Sequence, residues 1–307
     1  MTYGMMNLKV AKTLQEYLDI VSEEKKTINS PWYRGMSSSS YSLIPSLFRE
    51  KKLIGHEFSG RLINGNYYKK SDAVMKSDFS AIDKFIEYFQ KYYPEKCAEY
   101  NLIDYLYIMQ HYDIPTRLLD FSTDELIALY FAVSTAHVRK NAQGNVEKEI
   151  EDFFDNEGDS ESGASVHIID PAFVNKNTNR FENISDEILD IHNINLDVLS
   201  QIDCPLCIKT DNKDSRITKQ KGVFMLFGYF YKSYEQYQIF NSRTTKIFIP
   251  NSCRLAIKEE LKDRYKISHS SVYPDIKGIS LEIIDNIEEK YHSDCTKIFG
   301  DTVQHNR

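Results

Sequence analysis

The stretch HYDIPTRLLDFSTDELIALYFAVSTAH, residues 111–137, constrains the fold more than any other part of the chain. Ile114-Pro115 ends a helix, because the residue before a proline is pushed out of the helical region. Arg117–Phe121 then reads as a short strand, with Arg and Asp bracketing apolar residues. Ser122, with Glu125 three residues on, is a helix-start signal. Leu126, Leu129, Tyr130 and Val133 follow at the spacing of one buried helical face. A helix must therefore hand over to a strand and back to a helix within a few turns of chain.

The flanking patterns supply the rest. Thr13-Leu-Gln-Glu16 is a capping box, and Leu14, Tyr17, Leu18 and Val21 predict a first helix over about 13–25. Residues 31–36 read as a strand, and Ser37–Ser40 with Pro45 as a loop leading to Leu47-Phe48. Residues 72–111 are helical in pattern, through Phe79, Ile82, Phe85, Ile86 and Phe89 and then Leu102, Tyr105, Leu106 and Met109, with Pro94 dividing two helices. Residues 139–165 lack periodicity and read as a mobile acidic loop. Strands are expected at 166–170, 223–230 and 246–250, and helices at 185–200, at 254–266 and in the last segment. Helices first, then strands between long loops, predict an α+β domain on a mixed or antiparallel sheet. GxGxxG and GxxxxGK[ST] are absent, which disfavours a Rossmann or P-loop fold.

A chain of 307 residues can bury a substantial core, and its 21 Tyr and 17 Phe provide the apolar surface. No apolar run approaches the roughly 18 to 20 residues that span a bilayer. The first residues lack the apolar core and cleavage site of a secretory signal, and five cysteines are an odd number, so the expectation is a cytoplasmic protein with reduced thiols and no membrane partner. The net charge is −7, and eight acidic residues between Glu147 and Glu161, offset by Lys148, account for all of it. Global charge thus says little about partners.

Among chemical motifs, Cys204-Pro-Leu-Cys207 stands without a second ligand pair, so no metal is expected. GxSxG is absent, which disfavours a serine hydrolase of that type. Arg49-Glu-Lys-Lys52 and Lys69-Lys70 read as solvated charge. What remains is polar residues between apolar neighbours: Arg34 after Trp32-Tyr33, Arg117 and Asp120 in TRLLD, and Gln220 in KQKGVF. Buried arginines need partners, and an Arg117–Asp120 or Arg34–Asp120 ion pair is one account of them. A ligand site is the other. Ser122 and Thr123 fit helix capping, His111 fits a helix C-terminus, and Gly35 and Gly222 fit positive φ.

WYRG followed by YSLIPSLFR, then MQHYDIPTRLLDFSTDELIALYFAV, then ITKQKGVFMLFG, resembles the FRG domain, with KEELKDRYKISHSSVYPDIKG similar to the end of such domains. The resemblance runs from about 29 to 282 with 139–165 as an insertion, leaving 1–28 as an N-terminal helix and 283–307 as a C-terminal helix and tail. Asp113 stands where the family usually has glycine.

A looser resemblance is to ADP-ribosyltransferases. Tyr33-Arg34-Gly35 matches their aromatic-Arg-Gly strand, Asp120-Phe-Ser122-Thr123 followed by Ala128-Leu-Tyr-Phe131 their second motif, and Gln220 their third position, which usually holds Glu. The resemblance implies a helical N-terminal part packed on a split mixed or antiparallel sheet. It implies NAD as substrate, with Arg34, Asp120 and Gln220 catalytic and Tyr33, Arg34, Gly35, Arg117, Ser122 and Thr123 binding it. A toxin or antiphage-defence activity would then modify RNA, DNA or protein, with an antitoxin as candidate partner. A non-catalytic nucleotide- or partner-binding module is the alternative, and an internal ion-pair network of Arg34, Arg117 and Asp120 a third.

Overall fold

The computed structural model describes residues 5–49, 61–63, 66–68, 70–136, 144–178, 189–190, 204–209, 215–228 and 232–299. The strands are β1 (Asn7–Val10), β2 (Trp32–Met36), β3 (Arg61–Ile63), β4 (Asn66–Tyr68), β5 (Leu118–Ser122), β6 (Gly163–Ile169), β7 (Leu189–Asp190), β8 (Leu206–Lys209), β9 (Gly222–Leu226) and β10 (Thr244–Pro250). Eight of these form one sheet in the order β1-β10-β6-β2-β5-β9-β8-β7, and β3 and β4 pair separately. The sheet is mixed: β1 runs parallel to β10 and β7 to β8, and the other pairings are antiparallel. The architecture is α+β.

The helices are α1 (Leu14–Glu24), α2 (Ser46–Arg49), α3 (Lys70–Tyr92), α4 (Leu102–His111), α5 (Glu125–Val133), α6 (Val146–Asp155), α7 (Pro171–Asn177), α8 (Ser215–Gln220), α9 (Gln238–Asn241), α10 (Asn251–Tyr265), α11 (His269–Val272) and α12 (Ile276–Phe299). Side chains alternate across a strand, so pairing register assigns each residue to a face. Tyr33 pairs with Ser122 and Asp120 with Phe224, which puts these four on one face. On that face α1, α5 and α10 cover the half around β2, β6 and β10, through Tyr17, Ala128, Leu129 and Ile257 against Tyr33, Val166 and Ile247. α3 and α4 cover the other half, through Ile82, Ile103 and Leu106 against Leu118, Phe224 and Leu226. The opposite face carries Trp32, Met36, Leu119, Phe121 and Met225 under Leu47, Phe48, Tyr234 and Phe240. Each fully buried side chain of this size contributes about 1.5 to 3 kcal/mol.

Of the local signals, the Thr13 cap forms without its reciprocal half, and the Pro115 stop acts as read. Thr13 Oγ1 accepts the Glu16 amide at 3.1 Å, while Glu16 Oε2 turns to the Lys12 amide at 2.7 Å. Ile114-Pro115 follows the end of α4, and Asp113 takes φ 59°, the left-handed conformation that glycine adopts most easily.

Several expectations are corrected. Residues 7–10, read as part of a helical N-terminal segment, form an edge strand beside β10, and α1 packs into the main core. Residues 146–155, read as mobile loop, are a helix capped by Asn145, with Phe153 buried and stacked on Phe248 at 4.4 Å. Phe153 anchors the helix, and two of its acidic residues bond inward: Glu149 Oε2 accepts from Ser252 Oγ at 2.7 Å, and Asp152 Oδ2 accepts from Ser160 and Ser162. Ser122 is not the cap of α5: Asp124 is, accepting from the Leu126 and Ile127 amides at 2.8 and 3.1 Å. Gly35 and Gly222 do not have positive φ, and among the described residues Gly158 is the glycine that does. The helix expected at 185–200 lies largely outside the described residues, and Leu189–Asp190 within it are extended.

Candidate functional site

The site begins where β2 and β5 part. The two strands pair at Tyr33–Ser122 and at no further rung, so the next stretch of edge is open. Arg34 occupies this opening. Its Nη1 donates to the Asp120 main-chain carbonyl, and the same atom lies 3.9 Å from Asp120 Oδ2. Register places the Arg34 Cβ on the face of Leu119 and Phe121, so the guanidinium reaches across to a residue whose carboxylate belongs to the other face. Burial lowers the affinity of this guanidinium for its proton, Asp120 opposes that effect, and Arg49 adds to it.

Asp120 is the exposed member of an otherwise buried strand. Gln110 of α4 donates to its Oδ1 at 2.6 Å, and Gln110 Oε1 in turn accepts from Thr116 Oγ1 at 2.8 Å. The carboxylate is therefore held from the helix side and the main chain from the Arg34 side. Next to it opens a cavity of about 470 Å³, lined among others by Arg49, Tyr107, His111, Asp120, Arg216 and Gln220. That volume lies within the usual range of small-molecule sites. Tyr107 packs on Phe224 with ring centroids 4.2 Å apart, which forms the cavity floor between α4 and β9.

Gln220 ends α8, and its placement depends on β5. Ser122 Oγ donates to the Gln220 carbonyl at 2.7 Å, and the Thr123 amide donates to the Lys221 carbonyl at 3.0 Å. Lys221 turns through φ 45° and its Nζ reaches Asp124 Oδ2 at 2.7 Å. Gln220 Nε2 donates to the Val272 carbonyl at 3.4 Å, and the guanidinium of Arg216 stacks 4.7 Å over the Tyr273 ring. The α11 segment thereby braces one wall.

Of the residues singled out from sequence, Asp120 and Gln220 share this cavity and Arg34 is bonded to Asp120. Ser122 and Thr123 tie the Gln220 turn to β5. Three others are placed elsewhere. Tyr33, 1% exposed, lies in the core against α1 and α5. Gly35 is filled by α5: a Cβ there would come within 1.9 Å of the Ala128 carbonyl oxygen. Arg117 is 1% exposed and bonds Asp78 and the Phe227 carbonyl, at 2.7 and 2.8 Å. Of the two ion pairs the sequence allowed, Arg34–Asp120 is present at 3.9 Å, whereas Arg117 takes Asp78 of α3 in place of Asp120.

Gln110, Tyr107 and Arg216 line the cavity without having been singled out, and Arg49, read as solvated charge, lines it too. Arg49 and Gln110 lie inside the SLFR and MQHYDIPTR stretches, whereas Arg216 carries no signal in its neighbours.

Against the models of known families, residues 29–141 match the FRG domain. This segment is the FRG-domain part of the chain. The matched span holds Arg34, Arg49, Gln110 and Asp120 and ends before β6, so Arg216 and Gln220 come from the part beyond it. No curated protein and no solved structure matches the chain. Among the described residues no helix is long and apolar enough to cross a membrane.

Proposed function

We propose that this protein binds NAD in the cavity beside Asp120 and transfers its ADP-ribose to a macromolecule, an RNA, a DNA or a protein. The observation that carries the reading is the shared wall of Asp120 and Gln220, with Arg34 bonded to Asp120 from the neighbouring strand. Arg49 and Arg216 supply the cationic groups that a pyrophosphate requires, and guanidinium groups grip phosphate through paired hydrogen bonds. Tyr107 and His111 offer flat surfaces to a ring.

In the transfer, the bond between the ribose C1′ and the nicotinamide nitrogen breaks and nicotinamide leaves with the bonding pair. The acceptor's heteroatom forms the new bond to C1′ and gives up its proton. Gln220 cannot take that proton, since a carboxamide is no base at neutral pH. Asp120 can, and its carboxylate is more than half exposed. Negative charge close to C1′ also stabilises the positive sugar that develops as the old bond breaks. A toxin or antiphage-defence role, with a silencing antitoxin, belongs to the same proposal.

A second reading is a non-catalytic nucleotide-binding module, favoured by one observation: Arg34 spends its Nη1 on a main-chain carbonyl rather than presenting it to the cavity. The two readings separate when purified protein is incubated with cell extract and NAD labelled in its adenylate phosphate. Transfer predicts label on a fraction that nuclease or protease then removes, and loss of that label in Asp120→Asn. Absence of label from every fraction rejects transfer, and a thermal shift with NAD in the same preparation then supports binding alone.

A further inference from the structure

The longest helix, α12, is amphipathic in an inverted sense. Ile276, Ile279, Ile283, Ile284 and Ile287 are between 50% and 81% exposed. At 100° per residue these five occupy an arc of roughly 140°. The opposite side of the helix holds it to the domain, and does so with polar groups. Asp285 Oδ2 accepts from Lys258 Nζ at 2.7 Å and lies 3.0 Å from His269 Nε2, and Glu282 Oε1 lies 3.6 Å from Lys262 Nζ. Gly278 lies flush on the Tyr273 carbonyl, where a Cβ would approach to 2.0 Å. A helix docked by ion pairs while five isoleucines face outward has its apolar side available to another surface. Contiguous exposed patches of this kind mark interaction sites.

We infer that this stripe is the self-association surface of the protein, with two copies packing α12 against α12 in antiparallel fashion. Two observations select a second copy as the occupant. The first is area: the isoleucines present roughly 600 Å² per chain, so two copies face to face remove about 1,200 Å², within the range of specific interfaces. The second is charge. Lys277 and Glu288 flank the same side of the stripe, eleven positions apart in the sequence. A twofold axis near Ile283 sets Ile279 of each copy against Ile287 of the other and brings Lys277 beside the other copy's Glu288. Antiparallel packing joins like flanks of the two helices, which a parallel pairing does not. The interface is isologous and closes at two copies.

The test is the mass of the full-length protein by light scattering over a micromolar dilution series. The wild type is expected at twice the mass of one chain, and Ile283→Lys combined with Ile287→Lys at the mass of one chain, with an unchanged far-ultraviolet circular dichroism spectrum. Lys277→Glu alone and Glu288→Lys alone each weaken association by roughly three- to tenfold, and the two together restore it. A wild type at single-chain mass throughout, or a double-lysine variant that still pairs, overturns the inference. So does a single-chain wild type that co-sediments with phosphatidylcholine–phosphatidylserine vesicles through this stripe, which would make lipid the occupant.

Discussion

Arg117 donates through Nε to Asp78 at 2.7 Å, and both side chains are 1% exposed. The pair joins β5 to α3, and Arg117 Nη1 also holds the Phe227 carbonyl at 2.8 Å, just past the end of β9. Two charges removed from water are tolerated only while each has the other. Asp78→Ala leaves a buried guanidinium uncompensated and is expected to lower stability by about 3 to 5 kcal/mol. Asp78→Leu combined with Arg117→Met removes both charges and should cost clearly less. Urea midpoints at unchanged m-value measure the difference, and equal losses from the single and double changes would contradict the assignment.

Gly35 permits α5 to lie directly on β2. A methyl group there would sit 1.9 Å from the Ala128 carbonyl oxygen and 2.7 Å from the Ala132 amide nitrogen, both main-chain atoms that cannot rotate aside. Gly35→Ala is expected to cost about 3 kcal/mol through forced displacement of the helix. Thermal unfolding reads this as a lowered Tm. A variant that loses NAD binding at unchanged Tm would instead return Gly35 to the ligand site.

His167 gives the protein a pH dependence. It lies between Arg34 and Lys246 in cross-strand register, is fully buried, and among the described residues neither ring nitrogen has a hydrogen-bond partner. Burial first, then Lys246 and Arg34, hold its pKa well below the ordinary 6.5. The unfolded chain therefore binds a proton that the native protein refuses. The contribution of His167 to stability is complete above about pH 6.5 and falls by about 1.4 kcal/mol per pH unit as the solution is acidified below that value. Between roughly pH 6.5 and 5, before carboxylates titrate, His167→Leu should flatten the stability curve. An equally steep decline in that variant would show that the proton goes elsewhere.

Arg49 and Arg216 are the cationic lining of the cavity, and neither is buried in the core. Replacing either by Ala is expected to weaken NAD binding about tenfold, the loss of roughly 1.4 kcal/mol of charge-assisted bonding, with Tm nearly unchanged. Titration calorimetry checks the first part and thermal unfolding the second. Unaltered affinity in both variants would move the ligand away from this cavity.

Residues 111–133 show how far the local chain reaches. Ile114-Pro115, the LLDFS strand and the apolar face of α5 were legible because proline sterics and side-chain periodicity act between near neighbours. The family match spans this stretch and WYRG alike. Even the departure at Asp113 follows local rules, since Asp is among the residues that take φ 59° at modest cost. The acidic segment was misread because its charges outweighed its pattern: Val146, Ile150 and Phe153 recur at helical spacing, and Phe153 finds its partner in Phe248, far along the chain.

The chain alone placed most of the helices and strands, though not β1 or the helix at 146–155, and it showed that Arg34, Arg117 and Asp120 would each need a partner. Only the tertiary structure decided which partner. The packing of α3 beside β5 gives Arg117 to Asp78 in the core and leaves Asp120 to Arg34, Gln110 and the cavity. Secondary structure follows from forces between neighbours in sequence, whereas the pairing of charges follows from which faces of distant strands and helices meet.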